Sequence, residues 1–163
     1  MGLFDRMQNN ARSEQEKKDN TPKSVTVTFE QLPESLSDMQ KLPESALSTP
    51  FMTAALAVCA YCCYAVDKEA GKEMLNFLKG PKPLSNYDIQ FINDRLSGKA
   101  YLPFSYFEGA EPSNEYRPSE PYKITLFEDV YTYQNEGYAK LNVRSGGADS
   151  PRQIVLRDRK SVV

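Results

Sequence analysis

Hydrophobic positions along this chain change period twice. In SVTVTF, Ser24 to Phe29, Val25, Val27 and Phe29 alternate with Thr26 and Thr28, the period-two pattern of a half-buried strand. In FMTAALAVCAYCCYAV, Phe51 to Val66, the period becomes helical and charge disappears. Phe51, Ala54, Ala55, Val58, Cys62 and Ala65 recur on one face, while Leu56, Cys59, Cys63 and Val66 cover much of the rest. Thr49 and Pro50 supply an N-cap and a first helical residue whose missing N–H costs nothing. The run is shorter than the about 20 residues that span a bilayer. A helix apolar nearly all round is therefore expected at the centre of the molecule, with Tyr61 and Tyr64 reaching its edge.

Downstream, Asp67 reads as the N-cap of KEAGKEMLNFLK, whose apolar stripe is Met74, Leu75 and Leu78 and whose stop is Gly80-Pro81. Ser85 and Asp88 have capping-box spacing ahead of NYDIQFINDRLS. Tyr87 or Ile89, with Phe91, Ile92 and Leu96, are expected on the buried side of that helix. LPES occurs at Leu32–Ser35 and again at Leu42–Ser45, each copy resembling a short helical start. From Ala100 to Tyr122 prolines and aromatic residues dominate, the texture of an ordered, irregular loop. YKITLFED, VYTYQ, YAKLNVRS and RQIVLRDR then read as strands, with turns near Asn135–Gly137 and Gly146-Gly147. The class is α+β: an N-terminal strand and helices packed on one face of a C-terminal antiparallel sheet. Residues 1–23 are expected to be a mobile segment and residues 24–163 a single domain.

Composition removes several function classes. A net charge of −2 gives no basic excess for nucleic acid. Histidine is absent, and with it the commonest general base and metal ligand. The three cysteines crowd one apolar segment, which is no disulfide framework. Cys59 and Cys63 share a helix face, but a structural zinc site needs four N or S ligands and none completes the set. They are expected to pack as small hydrophobes, with no metal and no cofactor, in a reducing cytoplasm. The first residues lack a secretory apolar run, and a Leu3/Phe4 turn offers at most a reversible membrane or partner contact.

Two motifs carry a resemblance. Tyr101-Leu102-Pro103 with Ser105-Tyr106-Phe107, and Ser145-Gly146-Gly147-Ala148-Asp149-Ser150-Pro151-Arg152, are similar to signatures of a family of small uncharacterised bacterial proteins. The likeness runs from about Val25 to Arg157. It implies a bacterial, cytoplasmic α+β domain and brings no catalytic residues. Similar proteins continue into a tryptophan-rich strand. Here the sequence runs to DRKSVV without tryptophan, so either the last strand is lost or the end is altered, and an open sheet edge would follow.

Two clusters could carry recognition. One is the aromatic loop: Tyr101, Phe104, Tyr106, Phe107, Tyr116 and Tyr122, unless these rings merely anchor it. The other is the basic hairpin. From Lys140 to Lys160 six bases stand against two acids, and Arg144 and Arg152 flank glycines whose N–H groups can face an anion. The neighbouring stretch from Tyr101 to Glu136 has seven acids against two bases, Arg117 and Lys123, so loop and hairpin can neutralise one another within a chain or across a homo-oligomer. Tyr101, Phe104, Tyr106, Phe107, Arg117, Arg144 and Arg152 are thus the expected ligand-binding residues. A non-catalytic module for a protein segment or small anionic ligand is the expected class. An enzyme with a pocket between sheet and helices is the alternative.

Overall fold

The computed structural model describes residues 22–80 and 82–157. Its sheet is a four-stranded antiparallel meander in the order β1-β2-β3-β4. β1 (Ser24–Phe29) crosses the chain to pair with β2 (Tyr122–Phe127), Val27 opposite Ile124 and Phe29 opposite Tyr122. β2 pairs with β3 (Tyr138–Val143) through Leu126 and Val143, and β3 pairs with β4 (Arg152–Arg157), Leu141 opposite Ile154. Side chains alternate between sheet faces, so this register collects Val27, Phe29, Ile124, Leu126, Leu141 and Val143 on one face. All six are buried. The reverse face is polar, with Thr26 and Thr125 hydroxyls 2.7 Å apart.

The cysteine-bearing helix lies against the apolar face, as its pattern predicts. A short helix α1 (Leu36–Gln40) precedes it; α2 (Pro50–Val66) then packs on all four strands. The Met52 N–H donates to Thr49 Oγ1 at 3.3 Å, fixing its start. Ala54, Ala55, Leu56, Cys59 and Ala60 have no exposed surface. Truncating a side chain such as Leu56 to alanine costs about 2–5 kcal/mol in such a setting. α3 (Lys68–Lys79) follows at once, capped by Asp67, whose Oδ1 accepts from the Ala70 N–H. Gly71 lets α3 approach the backbone of Tyr64, where a Cβ would overlap it. α4 (Asn86–Leu96) opens with the reciprocal Ser85–Asp88 box. Lys79 donates to Asp88 Oδ2 at 2.8 Å, and together with the Ser85 hydrogen bonds it holds that carboxyl down at about 2.

Two expectations need correction, and a third holds for one of its two copies. VYTYQ is a turn, not a strand. Asp129 Oδ1 accepts from the Tyr131 N–H at 2.8 Å, and Thr132 Oγ1 accepts from the Asp129 N–H at 2.8 Å. These local bonds offer the backbone an alternative to a ladder, and they roll it over. Second, α4 buries Ile92 but leaves Tyr87 at 77% and Phe91 at 54% exposure. The second LPES opens a 3-10 helix at Pro43–Ala46 with Glu44 in its first turn, as expected, whereas the first lies ahead of α1 and supplies only its N-cap, Ser35.

Of the segment expected to be mobile, residues 1–21 fall outside the described residues, as do 158–163. Lys23 is fixed: its N–H donates to Glu128 Oε1 at 3.0 Å, and its carbonyl accepts from the Glu128 N–H at 2.8 Å. β4 ends the sheet, with no further strand beside it among the described residues. No helix there is long and apolar enough to cross a membrane.

Candidate functional site

The two sequence motifs meet in space. Ser105 and Ser145 are both buried, their hydroxyls 2.7 Å apart. Ser105 donates its own proton to the Leu102 carbonyl, so the Ser145 hydroxyl donates to Ser105. The Gly146 N–H donates to the Ser105 carbonyl at 2.8 Å. Gly146 also lies so close to the Ala110 carbonyl that no Cβ fits between them. Gly147, with φ +78°, abuts Pro112. The glycines are therefore needed for close backbone approach. The long loop is braced by its own contacts as well. Tyr101 and Tyr116 stack with centroids 4.3 Å apart and planes 16° from parallel. Asn114 Nδ2 donates to the Gly109 carbonyl at 2.7 Å, and Asn114 Oδ1 accepts from the N–H groups of Glu111 and Arg117.

Docking the hairpin on the loop shapes a groove between α4, the tyrosine loop and β4. Its inner part is a cavity of about 310 Å³ lined by apolar residues including Val58, Ile92, Leu96, Leu102 and Ile154 and also by Arg95, Tyr106 and Arg152. A second cavity of about 400 Å³ shares Arg95, Leu102, Tyr106 and Arg152 and opens past Lys99, Tyr101, Tyr116 and Gly146-Gly147. The two form one groove with an apolar inner part and a charged mouth. Around the mouth stand three cations, Arg95, Lys99 and Arg152, against one carboxylate, Asp94. Among the described residues none of the three cations has a carboxylate within ion-pair distance. Arg95 rests over the Phe91 ring, 5.4 Å from its centroid. Burial raises the pKa of the Tyr106 hydroxyl, while Arg152 and Arg95 both pull it down. Tyr61, also raised by burial, feels Arg95 in the same sense. Arg95 and Arg152 thus act on a common tyrosine.

Arg144 lies elsewhere. Val143 pairs with Arg152 and points to the helix side, so Arg144 falls on the opposite face. It sits over Phe127, 5.4 Å from the ring centroid, beside a cavity of about 630 Å³. Glu108, Glu111 and Glu128 line that same cavity, so acidic loop and basic hairpin meet there within one chain.

Of the seven expected ligand residues, the groove gathers Tyr101, Tyr106 and Arg152. Phe107 is buried in the core, edge-on to Tyr122 at 6.0 Å, and Phe104 packs partly buried against the same core. These two rings anchor the loop. Arg117 is exposed and lines none of these cavities. Sequence reasoning missed Arg95 and Lys99, which flank the end of α4 immediately before the tyrosine loop. Basic residues at a helix C-terminus are normally read as satisfying the helix dipole. The available signal was their position just ahead of YLPFSYF.

The cysteines take no part. Burial raises the pKa of Cys59 far above the ordinary thiol range, with the Glu44 charge adding to it. Burial raises Cys62 and Cys63 as well. All three are unpaired, and no cluster of metal-ligating side chains occurs among the described residues.

The chain belongs to the family described as a domain of unknown function, DUF6935, whose model matches residues 31–162. Nothing among the curated proteins and nothing among the solved structures matches it.

Proposed function

We propose that this protein is a non-catalytic binding module of the bacterial cytoplasm, and that its ligand is a small anion, free or carried on a protein segment. The observation that carries this reading is the pair of arginines, Arg95 and Arg152, bordering an apolar-walled groove with no carboxylate paired to either among the described residues. Both arginines are exposed, and an unpaired guanidinium beside apolar surface favours an incoming carboxylate or phosphate. The inner part of the groove, at about 310 Å³, falls by itself at the small end of ligand pockets, which run about 300–1,000 Å³. The larger cavity beside Arg144 is the poorer choice, because its three glutamates repel an anion.

Titration with inorganic phosphate at low ionic strength, followed by backbone amide NMR, tests the reading. Saturable shifts are expected at Arg95, Tyr106 and Arg152, and not at Arg144. Arg152→Gln should weaken binding by about tenfold to a hundredfold, the loss of a charge-assisted hydrogen bond. Absence of saturable shifts, or equal loss from Arg144→Gln, would overturn it.

A further inference from the structure

The groove is divided by chemistry along its length, and that division specifies the ligand. The inner part presents Val58, Ile92, Leu96, Leu102 and Ile154, of which Val58 and Ile92 are almost fully buried. No acidic residue lines it. The mouth adds Lys99 to Arg95 and Arg152, a surplus of two positive charges over Asp94. A monocarboxylate leaves one of those charges unmatched, whereas a dianion matches both. A small polar anion also leaves the inner wall wet.

We infer that the groove takes an amphiphilic dianion: a phosphate monoester whose head lies among Arg95, Arg152 and Lys99 and whose hydrocarbon body lies along Ile92, Leu96 and Ile154. This rests on the anion-binding reading above and adds the class of molecule. Head and body make separate demands. The head needs two negative charges, so binding strengthens as the phosphate loses its second proton at about pH 6. The body gains up to about fourfold in affinity per methylene that is fully buried, and the gain stops when the inner groove is full. The same chemistry occurs in a soluble alkyl phosphate and in a phosphomonoester lipid headgroup.

The test is a calorimetric series on the full chain with inorganic phosphate, methyl phosphate, butyl phosphate and octyl phosphate, kept below micelle-forming concentrations. Affinity should rise with chain length to a plateau, octyl phosphate should exceed the monoanion octyl sulfate, and octanol should bind least. Arg152→Gln should lower every phosphate together. Leu96→Gln should flatten the chain-length series. Because the series is measured on the unaltered protein, a variant that misfolds does not decide the outcome. Equal affinity for all four phosphates would overturn the amphiphile and leave the anion site standing. No binding of any phosphate would remove both. Affinity that grows without saturation and ignores Arg152→Gln is surface adsorption and overturns the inference. Co-sedimentation with phosphatidylcholine vesicles containing phosphatidic acid, lost in Arg152→Gln, supports a lipid source. Octyl phosphate binding without co-sedimentation supports a soluble one.

Discussion

Arg144 and Arg152 flank the same glycine turn and look equivalent in the sequence, yet they stand in opposite surroundings. Arg144 lies over Phe127 beside three glutamates, on the polar side of the sheet. Arg152 faces the helix side, at the border of an apolar cavity, with Arg95 as its charged neighbour. The difference comes from register. Val143 sits opposite Arg152, so Arg152 shares the face of the buried valine and Arg144, one residue further on, takes the other. Charge in a sequence identifies a potential site; the parity of the strand decides what that charge meets.

The strongest way to break the comparison is to detach the turn from the loop. Gly146→Ala places a Cβ against the Ala110 carbonyl and should cost about 2–3 kcal/mol in denaturant unfolding, disturbing both arginine sites together. If Gly146→Ala were neutral, the close docking of the two motifs would be wrong. Next in size is the arginine pair. Arg152→Gln should lose about tenfold to a hundredfold in octyl phosphate affinity, while Arg144→Gln should change it by less than about twofold. A smaller effect runs the other way. Neutralising Glu108 and Glu111 together with glutamine should give the Arg144 cavity weak phosphate binding that the parent protein lacks, seen as new amide shifts around Phe127. No gain there would mean that more than charge separates the two sides.

The smallest expected effect is electrostatic. Arg152 stabilises the Tyr106 phenolate, so Arg152→Gln should raise the pKa of Tyr106 further, whereas Arg144→Gln should leave it alone. The sign follows from removing a positive charge beside a group that becomes negative on ionising. A ring-labelled tyrosine NMR titration reads it directly, and an unchanged Tyr106 in Arg152→Gln would place Arg152 outside the groove.

Local signals in the sequence transferred well to the structure. Thr49, Asp67 and Ser85 cap the three long helices because a cap is decided within four residues, by one side chain and one N–H. β1 was legible by alternation, and the central helix by its length and lack of charge. VYTYQ failed because Asp129 and Thr132 bond locally and override a β-prone composition. Phe91 failed because its ring supports Arg95 at the groove rather than filling the core. The site itself was half legible. Tyr101, Tyr106 and Arg152 lie in stretches that draw attention by composition, but Arg95 and Lys99 join them only through tertiary packing of α4 beside the tyrosine loop. Arg144 was misleading for the complementary reason, since pairing register is invisible until the partner strand is known.

On the proposed reading an anion enters between Arg95 of α4 and Arg152 of the basic hairpin, and not at Arg144. Side-chain NMR of the arginine Nε–Hε groups during an octyl phosphate titration tests it most directly. Saturable shifts of the Arg95 and Arg152 signals are expected, with that of Arg144 stationary. Movement of Arg144 with Arg95 and Arg152 unchanged, or no movement of any of the three, would contradict it.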